Sequence, residues 1–162
     1  MNASEIRLPR AVADTEKGII LASADVNAPP ERVFRALTTR DEVEQWWGAP
    51  AVYTVRDWIA EVRTGGKYTM MVQRPDGSGL PASGEFLVVD PPRKLSHTRK
   101  YDWDYPELGR RVTTVTFLLE PVEGGTRITM RHEGFEGLSK PAYDHAGGWE
   151  RFLGWLRDYL ES

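Results

Sequence analysis

The chain has 162 residues, no cysteine and a formal net charge of −3, and 40% of its residues are hydrophobic. This length and apolar content fit one folded domain with a buried core and exclude a chain that is disordered throughout. The absence of cysteine excludes disulfides, thiolate catalysis and cysteine-bound zinc, and the negative charge gives no electrostatic basis for a nucleic acid partner.

The N-terminal sequence MNASEIRLPRAVADTEKG mixes both charge signs and has no apolar stretch of the kind found in signal peptides. No apolar run in the chain approaches the length needed to span a bilayer. We therefore expect a cytoplasmic protein with no membrane partner. Residues 1–17 show no hydrophobic period and are predicted to form an N-terminal tail or irregular arm. Residues 18–162 should form a single domain.

The first part of this domain reads as one strand followed by two short helices. Branched residues at 19–26 predict the strand, which Pro29 and Pro30 end. Residues 31–37 predict the first helix. The second should run from Thr39 to about Trp47, because Thr39 and Glu42 have the spacing of a capping box.

The middle of the chain reads as antiparallel strands separated by glycine and proline turns. The predicted strands cover residues 52–62, with an irregularity near Arg56 and Asp57, and 67–73, 84–89, 95–103, 111–120 and 126–133. The chain then ends in its longest helical pattern, in which apolar residues recur every three or four positions over 139–162. Ser139 is the expected N-cap of this helix and Pro141 lies in its first turn.

An amphipathic helix after a run of strands needs a sheet to cover its apolar face. We therefore predict an α+β fold in which a curved antiparallel sheet of about seven strands wraps around the C-terminal helix. Gly147, Gly148 and Gly154 interrupt that helix, each at a cost of about 1 kcal/mol relative to alanine. The expected reason is close packing against the sheet, or a kink at the glycine pair; the alternative is room for a ligand.

Several short segments, in the order in which they follow one another along the chain, resemble the START and polyketide-cyclase (SRPBCC, Bet v-type) superfamily of helix-grip proteins. The closest resemblance is to the branch homologous to the activator of the heat-shock protein 90 ATPase. The similarity covers about residues 19–161. It is carried by APPERVFRALT at 28–38, WWG at 46–48, Gly84 with DPPRKL at 90–95, GTR at 125–127 with HEGF at 132–135, and His145 with Gly148 and Trp149. The resemblance implies the helix-grip fold.

Strand alternation predicts which side chains face the helix. In residues 95–103 the inward set includes His97, Arg99, Tyr101 and Trp103, whereas the alternate set is polar. In residues 67–73 the inward set is Tyr68, Met70 and Val72. An apolar concavity with a few convergent polar groups is typical of a small-molecule site. The candidate ligand-binding residues are Trp46, Trp47, Tyr68, Met70, Phe86, His97, Arg99, Tyr101, Phe117, His132 and Trp149. Arg111 is a further inward candidate.

Each candidate also has a structural interpretation. Inward polar residues near strand ends can lie at a wet rim, and a structural hydrogen bond explains His132 more simply than catalysis. His145 is expected to bond a backbone group. By the resemblance, Trp46 and Trp47 lie near the cavity mouth, one in the core and the other at the entrance. A buried Arg99 needs an acidic partner or a ligand anion, and no inward acidic residue is evident on the neighbouring strands.

The first functional expectation is non-catalytic binding of a small hydrophobic or amphipathic molecule. The resemblance implies two alternatives, a co-chaperone-like partner of heat-shock protein 90 and a cyclase, aromatase or hydrolase acting on a polyketide-like substrate. The sequence contains no nucleophile elbow, phosphate loop or metal-spaced histidine cluster. We therefore predict no catalytic residues, no cofactor and no metal site. The sequence does not distinguish a monomer from a homodimer.

Overall fold

The computed structural model describes residues 6–162. In this part of the chain the strands are β1 (Arg10–Asp14), β2 (Ile19–Val26), β3 (Gly48–Ala49), β4 (Tyr53–Ala60), β5 (Lys67–Gln73), β6 (Gly79–Asp90), β7 (Lys94–Tyr101), β8 (Thr113–Val122) and β9 (Gly125–Glu133). The helices are α1 (Pro30–Thr38), α2 (Arg40–Trp46) and α3 (Ser139–Glu161). One antiparallel sheet contains all of these strands in the order β1-β2-β9-β8-β7-β6-β5-β4-β3.

The α+β architecture, with a curved sheet and a long C-terminal helix, is confirmed, but the expected strand count was too low. The described residues contain nine strands, and the two that were not anticipated are β1 and β3. The expected irregularity in β4 is present as a register shift between Arg56 and Ile59, and β6 has another between Phe86 and Val88. Such bulges bend a strand and increase its twist, which helps the sheet to curve.

Part of the segment predicted to be a tail or irregular arm, residues 10–14, forms strand β1. It pairs with β2, with Val12 opposite Leu21, and it lies at one edge of the sheet. Ala11 and Ala13 pack against the core, whereas the side chains of Arg10, Val12 and Asp14 are exposed. Residues 1–5 of the predicted tail lie outside the described residues.

Helices α1 and α2 lie where the sequence predicts them, but the capping box does not form. The side chain of Thr39 makes no capping hydrogen bond. The Glu42 carboxylate is occupied by Arg32 Nη1 at 2.6 Å, Arg35 Nε at 3.3 Å and the Tyr159 hydroxyl at 2.8 Å. Although burial acts to raise the pKa of Glu42, these partners lower it overall. Glu42 therefore connects the α1–α2 pair to the end of α3.

Helix α3 buries its apolar face against the sheet, where it contacts β1 and β2. Its N-cap residue is Leu138 rather than the expected Ser139, and it has no side-chain cap. No helix among residues 6–162 is long and apolar enough to cross a membrane.

Close packing does not explain the glycines of α3. A Cβ atom added at Gly154 would meet nothing within 4 Å. At Gly147 and Gly148 it would meet only the guanidinium of Arg151, at 3.8 Å and 3.9 Å. The expectation of close helix–sheet contact at these positions was therefore wrong, because open space adjoins them.

Candidate functional site

A cavity of about 330 Å³ lies between the sheet and α3; we call it the outer chamber. Its wall is rich in aromatic residues, including Trp47, Tyr53, Tyr101, Trp149 and Phe152. Gly148 also lines it, so the missing side chain leaves space on the cavity side of the helix. Exposed charged residues surround its opening: Arg74, Glu107, Lys140, Asp144 and Arg151.

A second cavity of about 40 Å³, the inner chamber, shares Trp47, Arg99, Trp149 and Phe152 with the outer chamber. This volume exceeds the roughly 10–15 Å³ that one water molecule requires. Trp46, Tyr68, Phe86, His97 and Phe117 also line the inner chamber. The two chambers therefore meet at Arg99.

Arg99 is a buried cation held by aromatic rings. Its residue surface is 8% exposed, and its guanidinium carbon lies 5.7 Å from the Trp47 ring centroid and 5.0 Å from that of Tyr101. Nη1 also approaches Met70 Sδ at 3.6 Å. Among residues 6–162 no carboxylate forms an ion pair with it. Burial acts to lower the pKa of Arg99, but Tyr101 and Tyr68 raise it overall, so the side chain remains charged.

His97 lies beside Arg99 and is neutral. Its Nδ1 lies 2.9 Å from the Thr98 carbonyl oxygen, which can only accept, so Nδ1 carries the proton. The Tyr68 hydroxyl donates to the same carbonyl at 2.8 Å. Burial lowers the pKa of His97 to about 4 and raises that of Tyr68 to about 12. Within the described chain, His97 Nε2 has no hydrogen-bond partner.

His132 is fully occupied by hydrogen bonds behind the cavity wall. Trp149 Nε1 donates to His132 Nδ1 at 3.0 Å, so the ring proton is on Nε2, which lies 2.7 Å from Thr113 Oγ1. The Thr113 hydroxyl in turn donates to the Arg99 carbonyl at 3.1 Å. Burial lowers the pKa of His132 well below its ordinary value. This chain of hydrogen bonds fixes Trp149 and the Arg99 backbone relative to each other.

His145 bonds a backbone group and one further side chain. Its Nδ1 donates to the Pro141 carbonyl at 2.7 Å, which leaves Nε2 to accept from the Tyr101 hydroxyl at 2.8 Å. Burial lowers the pKa of His145 to about 4. Trp46 is 4% exposed and donates to the Ala36 carbonyl at 3.0 Å. Trp47 lines both chambers and donates to the Tyr53 hydroxyl at 3.3 Å.

Strand alternation thus brings most of the candidate residues to one of the two chambers. Met70 lies beneath Arg99, and His132 lies behind Trp149; neither lines a chamber. Arg111 was wrongly placed in the inward set, because β8 begins only at Thr113. Its Nη1 is directed to the carbonyls of Gly134 and Glu136, each at 3.1 Å, and the residue is exposed.

Sequence reasoning missed Tyr53, Leu80, Tyr105 and Phe152 as residues of the outer chamber. It placed Val72 and Trp103 on the inward face without naming them as candidate ligand-binding residues, and both line this chamber. A signal existed for Phe152, which lies three residues after Trp149 on the same helical face. Tyr105 lies in an irregular segment, where no period could reveal it. No group of three or more histidine, aspartate or glutamate side chains within residues 6–162 is arranged to hold a metal ion.

The sequence matches the family model described as "Activator of Hsp90 ATPase homolog 1-like protein" over residues 27–161. No curated protein matches the chain. The chain is similar in structure to a protein of Chromobacterium violaceum, with a TM-score of 0.79 and 23% identity over 90% of this chain and 98% of that one. A protein of Nitrosomonas europaea gives a TM-score of 0.74 and 25% identity over 91% and 96% of the two chains.

CalU16 of Micromonospora echinospora is also similar, with a TM-score of 0.66 and 20% identity over 94% of this chain and 84% of that one. These similarities extend over nearly the whole chain and show that the helix-grip fold is shared. The family model covers all three helices and every strand after β2. The chain therefore belongs to the family of activator of Hsp90 ATPase homolog 1-like proteins.

Proposed function

We propose that this protein binds a small amphipathic molecule without catalysing a reaction on it. The acidic or carbonyl end of the ligand contacts Arg99, and its hydrophobic body fills the outer chamber. The observation that carries the proposal is Arg99 itself, a buried cation that borders both chambers and has no carboxylate partner in the described chain. A buried charge needs compensation, and the rings of Trp47 and Tyr101 supply only part of it.

The charges around the outer chamber also favour an anion. Its lining contains four cationic side chains, those of Arg74, Arg99, Lys140 and Arg151, against two carboxylates, those of Glu107 and Asp144. Lys140 and Asp144 pair with each other at 3.0 Å. The lining is thus net positive in a chain whose net charge is −3. A positive cavity raises the local concentration of anionic ligands.

The state of the histidines supports binding rather than acid–base catalysis. An efficient general base has a pKa near the working pH. Burial lowers the pKa of His97 and His145 to about 4, so both are weak bases near neutrality. A cyclase reaction, the third function that we consider, would need a stronger base than either of them.

The test is Arg99→Met, which keeps much of the side-chain volume and removes the charge. We expect the variant to remain folded and to lose about tenfold or more in affinity for decanoate, because charge-assisted hydrogen bonds are the strong ones. Isothermal titration calorimetry measures the affinity, and native mass spectrometry identifies molecules that co-purify with each form. Arg56→Met is the matched control, since Arg56 lies exposed on β4 away from the cavity.

Two results would contradict this proposal. Unfolding of Arg99→Met would mean that the arginine has a structural role. An unchanged profile of co-purified ligands and an unchanged decanoate affinity would mean that Arg99 does not contact the ligand.

Family membership supports a second candidate function, partnership with an Hsp90-type chaperone. Stimulation of the chaperone's ATPase by the purified protein, with a stable complex in a pulldown, is the outcome that would favour it. Absence of both effects, together with decanoate binding that depends on Arg99, would leave ligand binding as the function.

A further inference from the structure

The inner chamber presents two polar groups of opposite hydrogen-bonding character. Arg99 can only donate, whereas the free Nε2 of His97 can only accept. The two residues are two positions apart on β7, so their Cα atoms are about 7 Å apart and both side chains point to the same face of the sheet. A ligand group that enters this chamber therefore meets a donor and an acceptor side by side.

The acceptor character of His97 is fixed by its surroundings. Its only proton is on Nδ1 and is directed to the Thr98 carbonyl at 2.9 Å. Burial lowers the pKa of the His97 ring to about 4, so the ring is neutral at pH 7. Three donors around the chamber are committed elsewhere: the Tyr68 hydroxyl to Thr98, Trp47 Nε1 to Tyr53 and Trp149 Nε1 to His132. These groups therefore leave the lone pair on Nε2 unpaired.

We propose that the ligand is a hydroxy acid, whose carboxylate binds Arg99 and whose neighbouring hydroxyl donates a hydrogen bond to His97 Nε2. The inference rests on the proposed function and adds the chemical class of the ligand. A plain carboxylate contains only acceptors near its head, so it would cover Nε2 and shut out water without giving it a partner, which is unfavourable. A phosphate dianion likewise contains only acceptors and would place negative oxygens against the Nε2 lone pair.

The spacing of about 7 Å between the Cα atoms of Arg99 and His97 suggests where the hydroxyl lies. A hydroxyl a few ångströms from the carboxylate reaches His97 while the acid stays at Arg99, as in a 3-hydroxy acid. A site built around a substrate hydroxyl discriminates against the analogue that lacks it, because the buried protein group is then unpaired. His97 is therefore the residue that we expect to determine specificity, and Arg99 the residue that holds the acid.

The experiment compares decanoate, each enantiomer of 3-hydroxydecanoate and each enantiomer of 3-methoxydecanoate by calorimetry with the full chain at pH 7. We expect one enantiomer of 3-hydroxydecanoate to bind about tenfold more tightly than decanoate, the size of one buried hydrogen bond. The methoxy analogue cannot donate and should lose this gain. In His97→Phe the gain should vanish while decanoate still binds, and His97→Gln, which keeps an acceptor, should retain part of it.

The outcomes separate this inference from the function on which it rests. Equal affinity of decanoate and both 3-hydroxy enantiomers in the unmodified protein would overturn the inference while leaving acid binding at Arg99 intact. A gain that persists in folded His97→Phe would also overturn it. Failure of every acid to bind would overturn both proposals. If His97→Phe does not fold, the ligand comparison on the unmodified protein still decides.

Discussion

All three histidines are neutral because each one has a fixed hydrogen-bond partner and little access to water. A backbone carbonyl holds the Nδ1 proton of His97 and of His145, whereas an indole N–H holds the Nδ1 lone pair of His132. Adding a proton to His132 would bring two N–H groups against each other. The residues that look most like acid–base catalysts are therefore tied to the framework, and only His97 Nε2 remains available to a ligand.

This arrangement predicts how stability depends on pH. In the folded state the pKa values of His97 and His145 are about 4, below the value of about 6.5 expected in the unfolded chain, and that of His132 is also lowered. The unfolded state thus binds protons that the folded state does not. The contribution of the histidines to stability should be constant above about pH 7 and decrease as the pH falls from 6.5 to 4, by up to about 1.4 kcal/mol per pH unit for each histidine.

Urea unfolding at a series of pH values measures this dependence, and NMR titration of the imidazole rings assigns it to individual residues. Ring titrations with midpoints near 6.5 in the folded protein would contradict the neutral state described above. A free energy of unfolding that does not change between pH 7 and pH 5 would contradict it as well.

At the scale of single elements, the sequence predicts helices and central strands well, because their periods report which face is buried. Strand β5 has the predicted bounds, and alternation within β7 places His97, Arg99 and Tyr101 as expected. Strand β1 was not predicted because its inward residues are only alanines and its outward residues include Val12. The sequence there shows no hydrophobic period. Tyr105, Pro106 and Glu107 complete the outer chamber from an irregular segment that has no period.

A local sequence motif does not show which of several possible partners a side chain will bind in the folded protein. The spacing of Thr39 and Glu42 fits a capping box, yet the Glu42 carboxylate pairs with cations of α1 and a tyrosine of α3. The two arginines reach Glu42 through the packing of α1 beside α2, and Tyr159 reaches it only in the complete fold. The sequence likewise does not show whether the space beside each glycine of α3 is filled by a neighbour or open to a ligand.

Those glycines allow a matched pair of substitutions. Gly148→Ala and Gly154→Ala should each stabilise α3 by on the order of 0.5–1 kcal/mol, since both sites have open space and glycine is a poor helix former. Only Gly148 lines the outer chamber, so only Gly148→Ala should weaken decanoate binding. Thermal unfolding measures the change in stability, and calorimetry measures the change in affinity. Equal decanoate affinity in both variants would contradict a ligand position beside Gly148.

At the scale of the whole molecule, α3 closes the core. Its large buried residues are Trp149, Phe152, Leu153 and Leu156. Burial of such side chains contributes roughly 1.5–3 kcal/mol each, or about 6–12 kcal/mol together. This is comparable with the whole stability of a typical domain, about 5–15 kcal/mol. The sheet alone therefore has too little remaining stability to stay folded.

Deletion of residues 139–162 should accordingly abolish cooperative folding, because the concave apolar face of the sheet would be left in water. Circular dichroism with thermal melting compares the truncated chain with the full one, and removal of Ser162 alone is the control. A soluble truncated protein with a cooperative melt would contradict the role given to α3.

Strand β2 is synthesised long before β9, yet it lies between β1 and β9 in the sheet. Pairing between segments so distant in sequence is slow to form, because a long loop must close first. A ribosome that is still translating therefore holds a chain whose sheet is incomplete and whose concave face lacks its helix. The cavity exists only after α3 has left the exit tunnel, so any ligand meets a folded domain rather than an incomplete one.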